Sequence, residues 1–444
     1  MGRKYFKYVI PSVLAMWIFS VYTMISGVIV AKGVNELALA ALNISIPYVY
    51  AAFAVSLLFA VGTSTIASIN LGNKETKKAS EIFTMSLVII IIISIVVTVI
   101  VLINLDRIAY FLGATTRTIS YVIEYLRIVS FFTVFIMVSY YFEVLVKTDG
   151  SPRLATIGVC ISAVTNILIV YILVIKYNVG IKGAAFATGF SHIFATIAYV
   201  WHFSRKDSKL KFVLFKFDIS LIGKVIPIGL SDFVTEFSAG FITFVFNRTI
   251  LLNIGDIGII TYTVIMYISN IVIMTMMGIS QGTQPLVSYY YGRDDKKTYT
   301  FLLKTAVKTV AIISIGVYVM CMIFAEQINE IFISKEDSAL FLYSIKSFRT
   351  YILSYLVLGF NIVFIGFYAA IEKPLYSMII STGRGLVVIV ASLYFMSSIF
   401  GESGIWISSF ISETICLIIA TIIFFRFFFE DLFVKSHIKN SNWI

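Results

Sequence analysis

Charge is scarce in this chain. Only 13% of its 444 residues are Asp, Glu, Lys or Arg, about half the share of a soluble domain. Hydrophobic residues fill 59% of it. With a mean hydropathy of +0.97, that excludes a water-soluble globular protein. Cysteine is rarer still. Cys160, Cys321 and Cys416 stand far apart in apolar stretches. They form neither a C-x-x-C metal or redox motif nor a disulfide framework, and they read as buried reduced thiols. No G-x-x-x-x-G-K-[ST] stretch occurs, which argues against an ATP-driven pump with its engine in this chain. A soluble catalytic domain is also missing, since the longest loop is the linker around 205–217. A membrane enzyme or receptor would need such a domain or a polar catalytic cluster, so the chain is read as no enzyme and as needing no cofactor or metal. The net charge of +11 belongs, in a chain this apolar, to cytoplasmic loops and anionic lipid, not to nucleic acid.

What is present is long apolar runs, broken by short charged or Gly/Pro segments. They predict an all-α membrane protein of twelve helices, over 9–31, 44–69, 82–104, 120–145, 155–175, 183–204, 218–247, 256–288, 301–325, 339–370, 376–399 and 404–429. The first run is too long for a signal-peptide core, and no small-residue cleavage site with a soluble domain follows it, so it reads as a retained helix. With the N-terminus inside, the inner segments hold 20 Lys and Arg and the outer loops 7. That excess places both termini in the cytoplasm, in a multi-pass plasma-membrane protein. An even number of spans requires the same. The chain is read as a monomer.

The sequence also repeats itself. Val9-Ile10-Pro11 returns as Val225-Ile226-Pro227, 216 residues later. Gly72-Asn73-Lys74 returns as Gly292-Arg293-Asp294, 220 later. Pro152 returns as Pro374, 222 later, and Gly180-Ile181-Lys182-Gly183 as Gly401-Glu402-Ser403-Gly404, 221 later. Four landmarks in order at a nearly constant offset predict two six-helix halves, 1–204 and 218–444, joined by a cytoplasmic linker at 205–217. Six is even, so the halves are parallel repeats around a central cleft, as in several secondary transporters.

These landmarks resemble a known family. Pro47 to Gly72 with the loop Gly72-Asn-Lys-Glu-Thr-Lys-Lys78, Asp149-Gly150-Ser151-Pro152, Gly180-Ile-Lys-Gly-Ala-Ala-Phe-Ala-Thr188, Gln281-Gly-Thr-Gln-Pro285 with Tyr291-Gly292, Arg384, and Gly404-Ile-Trp406 with Ser412-Glu413 are similar to stretches of the multidrug and toxic compound extrusion (MATE) transporters. The resemblance covers essentially the whole chain. It implies export of organic, often cationic, small molecules in exchange for H⁺ or Na⁺.

One departure follows from that resemblance. Many such transporters hold a cation in the first half with an Asp on helix 1, an Asn and an Asp on helix 5, and a Thr on helix 6. Asn166 and Thr188 match, but Ser26 and Val170 stand where the carboxylates would be. Neutral oxygens carry no proton that titrates near neutral pH, so a coupling acid is expected elsewhere.

Intramembrane carboxylates are costly and mark function by default. Asp232 and Glu236 lie four apart near the middle of helix 7, hence on one face. They repel in a low dielectric, and Glu236 matches a helix-7 Glu of another branch of the resembled family. We therefore expect Glu236, assisted by Asp232, to carry the coupling; the alternative is that a nearby Lys or a helix terminus satisfies one of them. Arg384 lies about 12 Å from the inner end of helix 11, and Glu413 about 13–14 Å from the outer end of helix 12. In a core about 30 Å thick they sit at similar depth, as a structural ion pair or as one opened during transport. Glu143 is expected to pair with Lys147 one turn on, at the interface. His192 is read as hydrogen-bonded structure or a proton relay. Gln281 and Gln284 either line the second half's cavity or pack against Pro285; with Arg384 and Glu413 they are the candidates for the substrate cleft. Pro11, Pro47, Pro227 and Pro285 fall within spans, where they loosen helices.

Two other transporters compete. A lipid-linked oligosaccharide flippase of the same superfamily needs several deep Lys or Arg in its cleft, and Arg384 alone stands out. A major facilitator is disfavoured because the loop after helix 2 lacks D-R-x-G-R-R.

Overall fold

The computed structural model describes residues 1–335 and 338–440, with side chains through Arg426 apart from Glu36. Residues 336, 337 and 441–444, inside the second half as read from the sequence, lie outside the described residues. Every regular element described is helical. Lipid offers backbone groups no water, and a helix satisfies them within itself.

The spans are α1 (Gly2–Gly33), α2 (Leu37–Gly72), α3 (Thr76–Ile103), α4 (Ile119–Phe131 with Thr133–Asp149), α5 (Pro152–Lys176), α6 (Ile181–Phe203), α7 (Ile219–Asn253), α8 (Asp256–Gly292), α9 (Lys296–Ile323), α10 (Ser338–Ala370), α11 (Pro374–Phe400) and α12 (Glu402–Arg426). Eleven pass as single helices, and the bent pair in α4 makes twelve. Local chemistry sets their starts. Asn35 Oδ1 accepts from Ala38 N–H at 2.8 Å, Asp218 Oδ1 from Ser220 N–H at 2.9 Å, and Asp295 Oδ1 from Thr298 N–H at 3.0 Å. Each satisfies an N–H that the first turn leaves without a helical partner. Pro152 and Pro374 open α5 and α11, where a missing N–H is harmless.

Two parallel six-helix repeats enclose a central cleft, and the irregular backbone repeats with them. A short helix follows the third span of each repeat, Leu105–Phe111 and then Ala325–Glu330. Left-handed residues recur in pairs: Lys74 and Asp294, Gly150 and Glu372, Gly180 and Gly401. The first helix of each repeat packs against the other repeat. Tyr5, Tyr8 and Val9 of α1 belong to the apolar core of the second half. Val225 and Ile228 of α7 belong to a core of the first.

The observed helices differ from the predicted runs, most plainly in the following places. α1 is longer at its start than 9–31. α4, read as one run over 120–145, is bent by 58° at Phe132 and continues to Asp149. No Pro or Gly marks that break. Phe132 leaves helical backbone geometry, its ring fills the space beside Gly189 of α6, and Thr133 Oγ1 meets the Tyr48 hydroxyl at 2.5 Å. Finally, α5 and α11 each contain a π-helical segment, Tyr171–Lys176 and Gly383–Val387.

Residues 204–218, between α6 and α7, are not helical. Their backbone is held by side chains of the first half. Asp149 Oδ1 accepts from Lys209 N–H at 2.7 Å and Leu210 N–H at 2.8 Å, while its Oδ2 lies 2.8 Å from His202 Nε2. Ser80 and Thr84 accept from Lys211 and Val213 N–H, both at 3.2 Å.

Candidate functional site

Three groups of ionisable side chains within the spans bear on the site. The first lies in the middle of α7. Asp232 and Glu236 share one helix face and are half-buried. Ser231 Oγ donates to Asp232 Oδ2 at 3.4 Å. Tyr50 of α2 and Tyr140 of α4 lie within electrostatic reach of Glu236. Among the described residues neither carboxylate has a Lys, Arg or His at ion-pair distance.

The second place joins α10, α11 and α12. Arg384 Nη2 donates to Glu413 Oε1 at 2.7 Å, and Nε to Oε1 and Oε2 at 3.1 and 3.3 Å. Asn361 Nδ2 adds bonds to Glu413 Oε2 at 2.6 Å and to its backbone O at 2.8 Å. The guanidinium is carried on the π-helical turn of α11. Asn361 was missed from sequence, although it is the polar residue in the apolar segment Tyr355–Ala370.

The third place lies where α4 meets α8. Lys147 Nζ donates to Glu143 Oε1 and to Gln281 Oε1, both at 3.3 Å. The expected pair forms and is buried by neighbouring helices, with Lys147 only 1% exposed and Glu143 8%. α4 runs past both residues to Asp149. Glu143 also lines a cavity with Phe19, Tyr22, Tyr140, His192 and Tyr199. There His192 Nδ1 lies 2.7 Å from Ser139 Oγ, and its ring stands edge-on to Tyr140.

The remaining sequence candidates are dispersed. Thr188 Oγ1 donates to the Ala184 carbonyl of its own helix at 3.0 Å. Asn166 is buried with Oδ1 unpartnered. Val170 sits in an apolar cluster with Val30 and Val174. Gln284 is buried with Nε2 unpartnered. The structure thus brings Arg384 to Glu413 and Asp232 to Glu236, and it joins Gln281 to Lys147 of the first half. Cys321 and Cys416 are buried and Cys160 half-buried, all three as free thiols. Among the described residues no group of three or more His, Cys, Asp or Glu could hold a metal ion.

Two separate stretches, 11–172 and 227–395, match the family model described as MatE. The chain belongs to the MatE family of multidrug and toxic compound extrusion transporters. One match falls in each six-helix repeat. This MatE chain is 25% identical to the multidrug export protein MepA of Staphylococcus haemolyticus over 424 residues, covering 94% of this chain and 93% of that one. Against MepA of Staphylococcus saprophyticus it is 24% identical over 389 residues, covering 87% and 85%. Its fold matches a MATE transporter solved in a bent conformation with a TM-score of 0.89 at 20% identity, covering 99% of this chain and 97% of that one.

Proposed function

We propose that this MatE-family chain exports organic, cationic compounds across the plasma membrane by secondary active antiport with H⁺ or Na⁺. The halves 1–204 and 218–444 move against each other about the linker 205–217, and both termini are cytoplasmic. Relatives named multidrug export proteins support the exporter reading. The coupling assignment rests on one observation: Asp232 and Glu236 are the carboxylates deep in the bundle with no basic partner among the described residues, whereas Glu143 and Glu413 are paired.

A carboxylate in a low dielectric needs a compensating cation. Glu143 and Glu413 draw theirs from the protein. Asp232 and Glu236 take theirs from outside, as H⁺, Na⁺ or the substrate. A substrate cation approaching past Tyr50 and Tyr140 displaces the bound ion, and the ion returning from the other side expels the substrate. Competition for one site makes the exchange obligatory. Ser26 and Val170 leave the first half without the carboxylates that many of these transporters use, so Ser26→Ala is expected to leave transport intact. The flippase alternative finds no support, because Arg384 is engaged by Glu413 and is not free for a pyrophosphate.

The test is efflux from proteoliposomes under an imposed pH or Na⁺ gradient, with wild type and Glu236→Gln at equal amounts. Glu236→Gln keeps the side chain's size but not its charge, and is expected to lose gradient-driven efflux while remaining monodisperse. Wild-type rates in that variant would remove Glu236 from the coupling role.

A further inference from the structure

At the end of the bundle that carries the N-terminus, the two repeats meet backbone to backbone. A methyl group on Gly229 would strike the Leu58 carbonyl, and one on Gly62 the Val225 carbonyl. Gly72 stands in the same way against Tyr289, and Gly292 against Ile69. Gly278 and Gly282 of α8 press on Val13 and Val9 of α1. One partner in each of these crossings is a glycine, so the backbones approach closely and the seam is tight. Polar bonds cross it in a few places. At the mouth, Lys4 Nζ donates to the Tyr290 hydroxyl at 3.1 Å and stands over the Tyr289 and Tyr290 rings. Deeper lies the bond from Lys147 to Gln281. Further along, Trp17 Nε1 donates to Thr275 Oγ1 at 2.9 Å.

We infer that Lys147 is the latch of this seam: its ammonium reaches from the first repeat to Gln281 of the second, holds the gate shut on the cytoplasmic side, and lets go as the halves part. The chemistry fits a reversible latch. A buried ammonium needs an anion, and a separation that stripped it of one would be prohibitive. Glu143 removes that obstacle, because it lies one turn back on the same helix and travels with Lys147. The ion pair therefore stays whole through the motion, and the bond that breaks is the one to a neutral amide. An acid in place of Gln281 would make the seam hard to open, and an apolar residue would leave it unfastened. Lys147 is on this reading a positioning residue that sets the balance between closed and open. The inference rests on the exporter reading with moving halves, and not on Glu236.

The experiment measures that balance directly. Spin labels on Lys74→Cys and Arg293→Cys, exposed in the loops flanking the seam, report its width by pulsed dipolar spectroscopy in a background lacking Cys160, Cys321 and Cys416. Gln281→Met fills the same volume without the acceptor. It is expected to raise the open-to-closed ratio about tenfold, the lower bound for a hydrogen bond to a charged group. The double variant Glu143→Gln/Lys147→Met removes the pair without stranding a charge, and is expected to raise the ratio equally. All three changes together should open the seam no further, because they delete one interaction. Lys147→Arg keeps a charged donor and should stay closed. An unchanged distance distribution in Gln281→Met, additive effects in the triple variant, or opening in Lys147→Arg would each overturn the latch. A variant Glu236→Gln that loses driven efflux yet shows the same seam response to Gln281→Met separates this inference from the coupling proposal. If the seam never opens in any variant, the moving-halves reading fails with it.

Discussion

Replacing Glu413 by Gln changes one atom type and very little volume, yet it is expected to be among the most damaging substitutions in the second half. The Arg384 guanidinium touches that carboxylate through three N–H···O contacts of 2.7, 3.1 and 3.3 Å. The two side chains are 10% and 9% exposed, so water cannot take the place of the lost anion. Asn361 would keep its bond to the backbone carbonyl at position 413, 2.8 Å long, so the local packing survives. What remains is a buried cation without a counter-charge, and breaking one side of a buried pair costs about 3–5 kcal/mol. Removing the stranded cation as well, in Arg384→Met/Glu413→Gln, should recover most of that loss, because neutral close-packed residues replace buried ion pairs at little net cost. The assay is thermal unfolding of the purified transporter by intrinsic fluorescence, with gradient-driven efflux measured alongside. The expected order is wild type close to the double variant, and Glu413→Gln several degrees lower. Efflux in the double variant should stay within a few-fold of wild type, as expected of a pair that acts as structure. A single variant with wild-type Tm, or a double variant no better than the single, would refute the charge argument. A well-folded double variant without efflux would place the pair in the transport path.

Two further outcomes follow from other parts of the molecule. Tags at Asn35 and Gly401 are expected to be reached by impermeant reagents from outside only, and tags at Lys74 and Lys209 from the cytoplasm only; cytoplasmic labelling at Asn35 would reverse the orientation. The capping carboxylates lie outside the spans. Hydrogen bonds from Ser220 hold Asp218, and hydrogen bonds from Thr298 hold Asp295, below the ordinary carboxylate value of 3.8. A carboxylate depressed on folding contributes stability above its unfolded pKa and loses it as pH falls through the folded one. Exchange protection in the first turns of α7 and α9 should therefore be full at neutral pH and fall away below 3.8. In Asp218→Asn and Asp295→Asn the cap should persist with that dependence flattened; an unchanged pH profile by hydrogen-exchange mass spectrometry would show that the carboxylates are not its source.

Hydropathy alone determined that this chain is a bundle of about twelve helices, because lipid forces each backbone segment to satisfy itself and leaves long apolar runs no other structure. The repeat was equally legible. Turn residues such as Gly180 and Gly401 are local requirements of the backbone, and the same requirement returns at the same offset when the architecture is duplicated. The closeness of Asp232 to Glu236 and of Glu143 to Lys147 could be read from helical spacing, since residues four apart share a face in any helix. Contacts between helices were beyond such reading. Arg384 and Glu413 could be placed at one depth, but Asn361 closes their network from a third helix, and depth says nothing of rotation about the axis. The bend at Phe132 carries no Pro or Gly, and the ring there fills the space beside Gly189 of α6. That neighbouring helices bury Glu143 and Lys147 was not legible, because an apolar run ends where its residues turn polar, whereas the helix continues to Asp149. Which carboxylates have a counter-ion is decided by side chains from distant segments meeting in space, and among the described residues that leaves Asp232 and Glu236 without one.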